Sequence, residues 1–439
     1  MKNKNLLSLL AISVALVLAG CDDSVNGDAP HQTGPNPELP PAKSFLVPPM
    51  KVPSAAQWKE GETPKVAEGL KIEKVAGDFK HPRQLYTLPN GDVLVVEAAG
   101  PKTPIAMPKQ LATGLVKSAS GKGGEGGNRI TLLRNTSGDG KTWERHIFLE
   151  NLSSPFGVQL VGNTLYVANA DSLVTYPYTP GATRISDPGT VLTELPAGIN
   201  HHWTKSLLAS PDGSKLYVGV GSNSNITENG IGIEYRRAAI LEVDAASGAS
   251  RIYASGLRNP TGLQWEPQTG RLWAIVNERD EIGANLVPDY MTAVEENGFY
   301  GWPYSYFGQH LDPRVKPERP DLVEKAIKPD YALGSHVAPL GLWFYTGTNL
   351  PEKYRGGAFI SEHGSWNRDP LNGYRVSWVA FQDGRPVGDP QPVVTGFLTD
   401  DREQVRGLPV GLTMDNLGGL MIADDAANVV WRVTNASAP

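Results

Sequence analysis

The fold is indicated by a repeated unit, and its first copy, residues 82–97, reads PRQLYTLPNGDVLVVE. An apolar segment that opens at Pro82 runs into a turn at residues 89–92, and a short strand then ends at Glu97. Similar strand-turn-strand units begin near residues 81, 154, 202, 258, 338 and 407. Six irregularly spaced copies suit propeller blades with loop insertions rather than a solenoid. We therefore predict an all-β protein, a six-bladed β-propeller.

Further strands support the blades and the closure of the ring. Residues 129–133 and 239–243 read as third strands, because each is a short apolar run placed after a copy of the unit. Residues 429–433 follow the last copy, whereas residues 70–75 precede the first copy and have no blade of their own. We predict that these two segments pair and close the ring. A β-sandwich is the alternative, but it needs far fewer strands than six triplets supply.

The composition of the 439-residue chain agrees with this fold. It has 48 Gly and 36 Pro beside 10 Trp and 15 Tyr, which is typical of many turns between short aromatic-rich strands. Its formal net charge is -6, and the sequence has no Lys/Arg-rich run. Because phosphate binding needs a basic surface, we expect no nucleic-acid partner.

The N-terminus has the features of an exported lipoprotein. Residues 1–20 combine Lys2 and Lys4 with an apolar stretch too short for an ordinary spanning helix, and they end in Leu-Ala-Gly before Cys21. Cys21 is the single cysteine, so the chain cannot form an internal disulfide. An acylated Cys21 explains this placement, whereas an incidental Cys is the simpler alternative. We predict a signal peptide at 1–20, a lipidated Pro-rich tether at 21–69 and the propeller at 70–439.

Chemistry is expected where the loops of a propeller meet at one rim, just before an inner strand or after the strand that follows it. His201 and His202 directly precede the third inner strand, and imidazole can remove a proton near neutral pH. Two histidines bound to backbone groups are the alternative, whereas a zinc site lacks a third ligand at metal spacing.

Two further clusters lie at equivalent points of other blades. Arg258 and Asn259 precede the fourth inner strand, and a guanidinium suits a carboxylate, although a surface salt bridge is an equal alternative. Residues 277–281 supply oxygen ligands of the kind calcium takes, but such a charge run is usually a solvated face. The aromatic run 299–307 either lines a ligand site or, as we favour for most of its rings, packs beneath an insertion.

Taken together, these segments resemble the L-sorbosone dehydrogenase-like group, which is related to the soluble quinoprotein glucose dehydrogenases. The resemblance extends over residues 70–435 and rests on stretches that include 81–83, 89–95, 201–204, 255–260, 276–281, 299–304 and 363–368. It implies a propeller that binds pyrroloquinoline quinone (PQQ) and calcium.

The resemblance also implies roles for individual residues. His202 matches the base that removes the substrate's hydroxyl proton, and Arg258 matches a residue near the quinone oxygens. Asn223 and Asn259 match residues that contact the cofactor. The carbonyl groups of the calcium site fall near Glu278 and Arg279.

The sequence departs from the glucose enzymes at several positions. Their paired arginines before the last inner strand are represented by Arg406 with Leu408, so one partner for a cofactor carboxylate is missing. Arg83, His363 or Arg368 is expected to meet that carboxylate instead. The residue before the catalytic His is His201 here, where the glucose enzymes have Asp.

These observations predict a PQQ-dependent dehydrogenase of a sugar, aldose or sorbosone-like substrate in the cell envelope. As a periplasmic lipoprotein anchored in the inner membrane, it would pass electrons to a respiratory cytochrome or quinone. A lactonase or a carbohydrate-binding propeller without a redox group remains the alternative, because one scaffold serves many functions.

Overall fold

The computed structural model describes residues 31–43, 51–101, 126–198 and 200–437. Cys21 and the predicted signal peptide lie outside these residues. Four strands precede the first blade, and they are β1 (Thr33–Gly34), β2 (Ser54–Ala55), β3 (Lys65–Val66) and β4 (Leu70–Ala76). No helix in the described part of the chain is long and apolar enough to cross a membrane.

The first three blades are four-stranded antiparallel sheets that follow the chain in order. Blade 1 contains β5 (Pro82–Thr87), β6 (Val93–Glu97), β7 (Arg129–Asn135) and β8 (Trp143–Leu149). Blade 2 contains β9 (Gly157–Val161), β10 (Thr164–Ala168), β11 (Ser172–Pro177) and β12 (Thr190–Glu194). Blade 3 contains β13 (Lys205–Ala209), β14 (Lys215–Val220), β15 (Ala239–Asp244) and β16 (Ser250–Ser255), with a 3₁₀ turn at Ile231–Glu234 between β14 and β15.

The last three blades carry the insertions. Blade 4 contains β17 (Pro260–Trp265), β18 (Leu272–Val276), β19 (Pro288–Ala293) and β22 (Tyr331–Ser335), and its insertion holds the hairpin β20 (Ser305–Tyr306) and β21 (His310–Leu311) and helix α1 (Pro320–Val323). Blade 5 contains β23 (Pro339–Phe344), a 3₁₀ turn at Glu352–Tyr354, β24 (Ala358–Glu362), β25 (Arg375–Gln382) and β26 (Arg385–Thr395). After β27 (Gln404–Val405), blade 6 contains β28 (Pro409–Met414), β29 (Leu420–Asp424) and β30 (Val429–Asn435).

The ring closes as the sequence predicts, because β4 supplies the outer strand of blade 6. It runs antiparallel to β30, and Ile72 lies opposite Val433. The all-β six-bladed propeller is thereby confirmed, and both ends of the ring-forming segment are held in one sheet.

The hydrophobic core lies between neighbouring blades. Strands β6, β18, β24 and β29 are buried along their whole length, which is expected where both faces of a sheet pack on adjacent sheets. In the aromatic run, Tyr300 and Phe307 pack in the core cluster of blades 3 and 4, as favoured from the sequence. A further small cluster, at the starts of the inner strands of blades 2, 3, 5 and 6, contains Phe156, Trp203, Leu340 and Val410.

The described part of residues 31–69 forms three short strands that pair with other strands, whereas the sequence predicted a tether. Strand β1 pairs with β22 of blade 4, β2 pairs with β27, and β3 pairs with β26 of blade 5. Trp58 packs edge-on against Phe397 and Trp431. The physical reason is that outer blade edges offer backbone groups and apolar grooves even to a Pro-rich segment without apolar periodicity.

Candidate active site at the upper rim

Blade geometry brings the candidate residues to one face of the ring. In each antiparallel pair, the start of the inner strand lies opposite the end of the second strand, as in Pro82 with Glu97 and Lys205 with Val220. Residues just before inner strands and just after second strands therefore share one rim, which we call the upper rim. The predicted His202, Arg258, Asn259, Asn223, His363 and Arg83 lie on it or directly below it.

His202 is half-buried and its ring has a defined orientation. Its Nδ1 atom lies 3.0 Å from the carbonyl oxygen of Ser222 and 3.0 Å from the Ser222 hydroxyl oxygen. That hydroxyl donates its own hydrogen to the carbonyl of Ser224 at 2.6 Å, so both Ser222 oxygens act as acceptors toward the ring. In the neutral imidazole the proton therefore resides on Nδ1, and Nε2 carries the lone pair. His201 is exposed, and its ring packs edge-on against His202 at 4.7 Å.

Arg83 and His363 meet at a carboxylate that the sequence analysis did not identify, Asp425. Arg83 Nη1 donates to Asp425 Oδ2, and His363 Nε2 lies 3.2 Å from each carboxylate oxygen. Burial opposes ionisation of Asp425, but the charges of His363 and Arg83 outweigh it and hold the pKa of Asp425 below its usual value. The signal for Asp425 was available, because it follows the second strand of blade 6 at a position searched in the other blades.

Arg258 is 2% exposed and connects two rim loops. Its Nε and Nη2 atoms donate to the carbonyl and side-chain oxygens of Asn225 at 3.2 and 3.0 Å. Its Nη1 atom donates to the carbonyl of Glu278 at 2.7 Å. The guanidinium fork therefore binds protein oxygens beneath the rim, and its direct contribution is to hold these loops together.

A second histidine and carboxylate pair lies beside Arg258. His336 Nδ1 is 3.3 Å from Asp280 Oδ1, its Nε2 is 3.0 Å from the Gly283 carbonyl, and Asn367 donates to the same Asp280 oxygen at 2.8 Å. Burial opposes both charges, yet the hydrogen bond between the pair lowers the pKa of Asp280 and raises that of His336. The sequence analysis missed this role for His336, although His336 precedes an inner strand as His202 does.

The two predicted asparagines differ in their surroundings. The backbone N–H of Asn223 donates to Glu234 at 2.7 Å, and its side-chain oxygen accepts from Asn229 at 2.6 Å. Asn259 Oδ1 is buried and has no hydrogen-bond partner among the described residues. Arg83 Nε is likewise buried and has no hydrogen-bond partner among the described residues. A buried acceptor and a buried donor without partners on one rim indicate that a polar ligand can be accommodated there.

Arg406 contacts the N-terminal segment, and its role at the cofactor stays a prediction. Its guanidinium carbon lies 5.7 Å from the ring of Trp58, which packs against Phe397 and Trp431 between blades 5 and 6. The prediction placed Arg406 at the cofactor because it precedes the last inner strand. The structure pairs it with a tryptophan from the N-terminal segment, a contact that sequence spacing does not reveal.

The side chains of Glu278 and Arg279 are engaged with each other and with Asp312, and the calcium site near them stays a prediction. Glu278 Oε2 accepts from the backbone N–H and Nε of Arg279 at 3.0 and 3.2 Å, and Arg279 Nη1 binds Asp312 at 2.9 Å. The carbonyl of Glu278 accepts a hydrogen bond from Arg258 Nη1. Glu278 Oε1 is a buried oxygen without a hydrogen-bond partner among the described residues. Within these residues, no group of three or more His, Cys, Asp or Glu side chains is arranged for a metal.

The fold and this rim define a propeller with a polar, histidine-rich upper site. The TrAA12-like family model matches residues 122–298 and 319–436, and the chain belongs to this family. An uncharacterized protein of Borreliella burgdorferi is 28% identical over 303 residues, which cover 65% of this chain and 76% of that protein.

Two matches concern quinone-dependent sugar oxidation. The PQQ-dependent pyranose dehydrogenase of Coprinopsis cinerea is 23% identical over 439 residues, which cover 85% of this chain but 55% of that protein. The holo structure of the pyranose dehydrogenase PQQ domain from the same organism superposes with a TM-score of 0.68 at 19% identity, and the alignment covers 87% of this chain and 99% of that domain. The chain is thus related to PQQ-dependent sugar dehydrogenases, and the sorbosone branch remains a prediction.

Proposed function

We propose that this protein oxidises a sugar, an aldose or a sorbosone-like aldehyde with PQQ bound at the upper rim. The observation that carries the proposal is the orientation of His202, which presents a basic Nε2 next to a rim rich in buried polar groups. The Coprinopsis relative, a PQQ-dependent pyranose dehydrogenase, supports this assignment.

The residues of the rim fit a flat molecule that carries carboxylates and carbonyls. Arg83 and His363 supply positive or hydrogen-bonding groups, and their shared partner Asp425 fixes both. Arg83 Nε and Asn259 Oδ1 offer a donor and an acceptor that the described protein leaves unused. When bound, PQQ supplies a quinone carbonyl that accepts a hydride. The carbonyl groups near Glu278 and Arg279 are the proposed calcium ligands, and no step of the reaction is assigned to the ion.

In this proposal His202 acts as the general base. Ser222 holds Nδ1 as a donor, so Nε2 accepts a hydroxyl proton of the substrate while the carbon that bears this hydroxyl loses its hydrogen as hydride, and an aldehyde would react as its hydrate. His201 has a supporting role, because its ring limits the positions that the ring of His202 can adopt. Arg258 keeps the loops of Asn225 and Glu278 in place below the reacting centre.

The proposal extends to the cell envelope on sequence grounds. Acylation of Cys21 would hold the protein at the inner membrane on the periplasmic side, and the oxidised substrate's electrons would pass to a respiratory cytochrome or quinone.

The test is dye-linked oxidation of a panel of aldoses and sorbosone-like aldehydes by quinone-loaded protein. We expect His202→Ala to lower turnover about 100-fold or more, as is typical for loss of a general base, while quinone binding persists. We expect His201→Ala to cost less. Wild-type rates in His202→Ala would overturn the mechanism. No oxidation by the loaded wild type would favour the lactonase or carbohydrate-binding alternative.

A further inference from the structure

The segment that carries His202 is held from below by two buried cations. Arg237 Nη2 donates to the carbonyl of Ala197 at 2.6 Å, and Arg237 Nη1 donates to Asn200 Oδ1 at 2.8 Å. Lys205 Nζ donates to the carbonyl of Trp203 at 3.1 Å. The rim loop therefore has anchors on both sides of His202.

Both cations are almost fully excluded from water, since Lys205 is 0% and Arg237 6% exposed. Among the described residues, neither forms a salt bridge within 4.0 Å. The nearby carboxylate of Glu234 is engaged by Asn223 and Ser224. A buried charge without an ion-pair partner is costly, and an apolar residue of similar size would remove that cost. The compensating interactions of the two cations are the bonds that they make to the rim loop.

Trp203 connects this anchoring to the proposed site. It directly follows His202, and its ring lies 5.6 Å from the guanidinium carbon of Arg83. The Trp203 ring also packs edge-on against Phe156, with 6.3 Å between the ring centroids, in the cluster that contains Leu340 and Val410. A shift of the Trp203 backbone therefore displaces His202 on one side and the support of Arg83 on the other.

We propose that Lys205 and Arg237 are positioning residues, which fix residues 197, 198 and 200–204 and thereby set the position of His202 and of the Trp203 ring beneath Arg83. The two cations touch neither substrate nor cofactor in this assignment. The activity part of the inference rests on the proposed function, whereas the anchoring part concerns the protein alone.

The variant Lys205→Met tests the anchor because Met has a similar length and cannot donate to Trp203. We expect amide hydrogen exchange in residues 200–204 to become about 10-fold faster or more, because a local bond that restrains opening is lost. Turnover should fall about 10- to 100-fold with a smaller change in KM, since displacement of a catalytic group by about 1 Å has this order of effect. The melting temperature near pH 6 should not fall.

Two further variants separate positioning from a general effect on folding. Arg237→Met should accelerate exchange mainly at residues 197–200, which its two bonds restrain. Lys215→Met is the matched control, because Lys215 lies on the adjacent strand of the same blade and binds the half-buried Asp244 at 2.8 Å. In Lys215→Met, amide hydrogen exchange at residues 197–204 and turnover should equal those of the wild type.

Unchanged exchange at 200–204 in Lys205→Met would overturn the anchor. A melting temperature that falls in parallel with turnover would also overturn it, because the lysine would then be an ordinary part of the core. If the loaded wild type oxidises no substrate, the proposed function fails, yet the exchange measurements still decide the anchor.

Discussion

Replacing Lys205 by Met should change the free energy of unfolding in a pH-dependent way. Burial lowers the pKa of the Lys205 ammonium from its ordinary 10.5 to about 7, and the charge of Arg237 acts in the same direction. Asp171 opposes the shift only in part. At acidic pH the native protein therefore carries a buried charge that the unfolded chain exposes to water.

The magnitude follows from this difference in pKa. At about 1.36 kcal/mol for each pKa unit, the change from 10.5 to about 7 corresponds to roughly 5 kcal/mol of destabilisation below pH 7. Between pH 7 and 10.5 the native state releases the proton while the unfolded state keeps it, so wild-type stability rises with pH. The variant also leaves the Trp203 carbonyl without a donor, which costs about 1–3 kcal/mol. We expect Lys205→Met to be about 2–4 kcal/mol more stable than the wild type at pH 6 and no more stable at pH 10.

The assay is urea-induced unfolding of wild type and variant at pH 6, 8 and 10, with the slope of each transition compared to exclude changes in the unfolded state. Lys215→Met is the control, and the difference between this variant and the wild type should vary little between pH 6 and 8. A loss of stability in Lys205→Met that is the same at pH 6 and pH 10 would refute the reasoning, because a buried charge would then make no contribution.

Three other predictions follow from the rim and the N-terminus. Asp425→Asn should lower the free energy of unfolding at pH 7 by about 3–5 kcal/mol, because Arg83 and His363 lose their shared carboxylate. Because the pKa of Asp425 is lowered in the folded state, its contribution is present above about pH 4 and is lost below, so denaturation at pH 7 and pH 3 should show a smaller deficit at pH 3. Arg258→Lys should destabilise the protein by about 3 kcal/mol despite the conserved charge, since an ammonium cannot reproduce the bonds to Asn225 and Glu278, and unchanged urea midpoints would contradict this. Cys21→Ala should leave a folded protein that no longer sediments with membranes, and persistent membrane association would argue against the lipoprotein prediction.

Much of the fold was readable from the sequence because a propeller repeats one local pattern. Each copy contains a turn between two apolar strands, and this pattern depends on neighbouring residues only. Even the pairing of β4 with β30 could be predicted, because one strand lacked a blade and another lacked an outer partner. The attachment of strands β1, β2 and β3 to other strands could not be predicted, since it depends on surfaces that exist only after the ring has formed.

The candidate site was readable only in part. Position relative to the inner strands identified His202, Arg83 and His363, because topology alone brings such positions to one rim. The same rule also named Arg406, whose guanidinium carbon lies near a tryptophan from a distant segment, and its role at the cofactor stays a prediction. A side chain's partner depends on direction and distance, which sequence spacing does not specify.

The sequence by itself determined the blade number, the closure of the ring and the rim on which polar residues collect, because these features follow from local periodicity and chain order. Only the tertiary structure decided that Asp425 joins Arg83 to His363, that Asp280 joins Arg258 to His336, and that Lys205 and Arg237 lie beneath the His202 segment. These contacts link residues far apart in the chain, and whether a charge there is buried or paired is set by the packing of neighbouring blades.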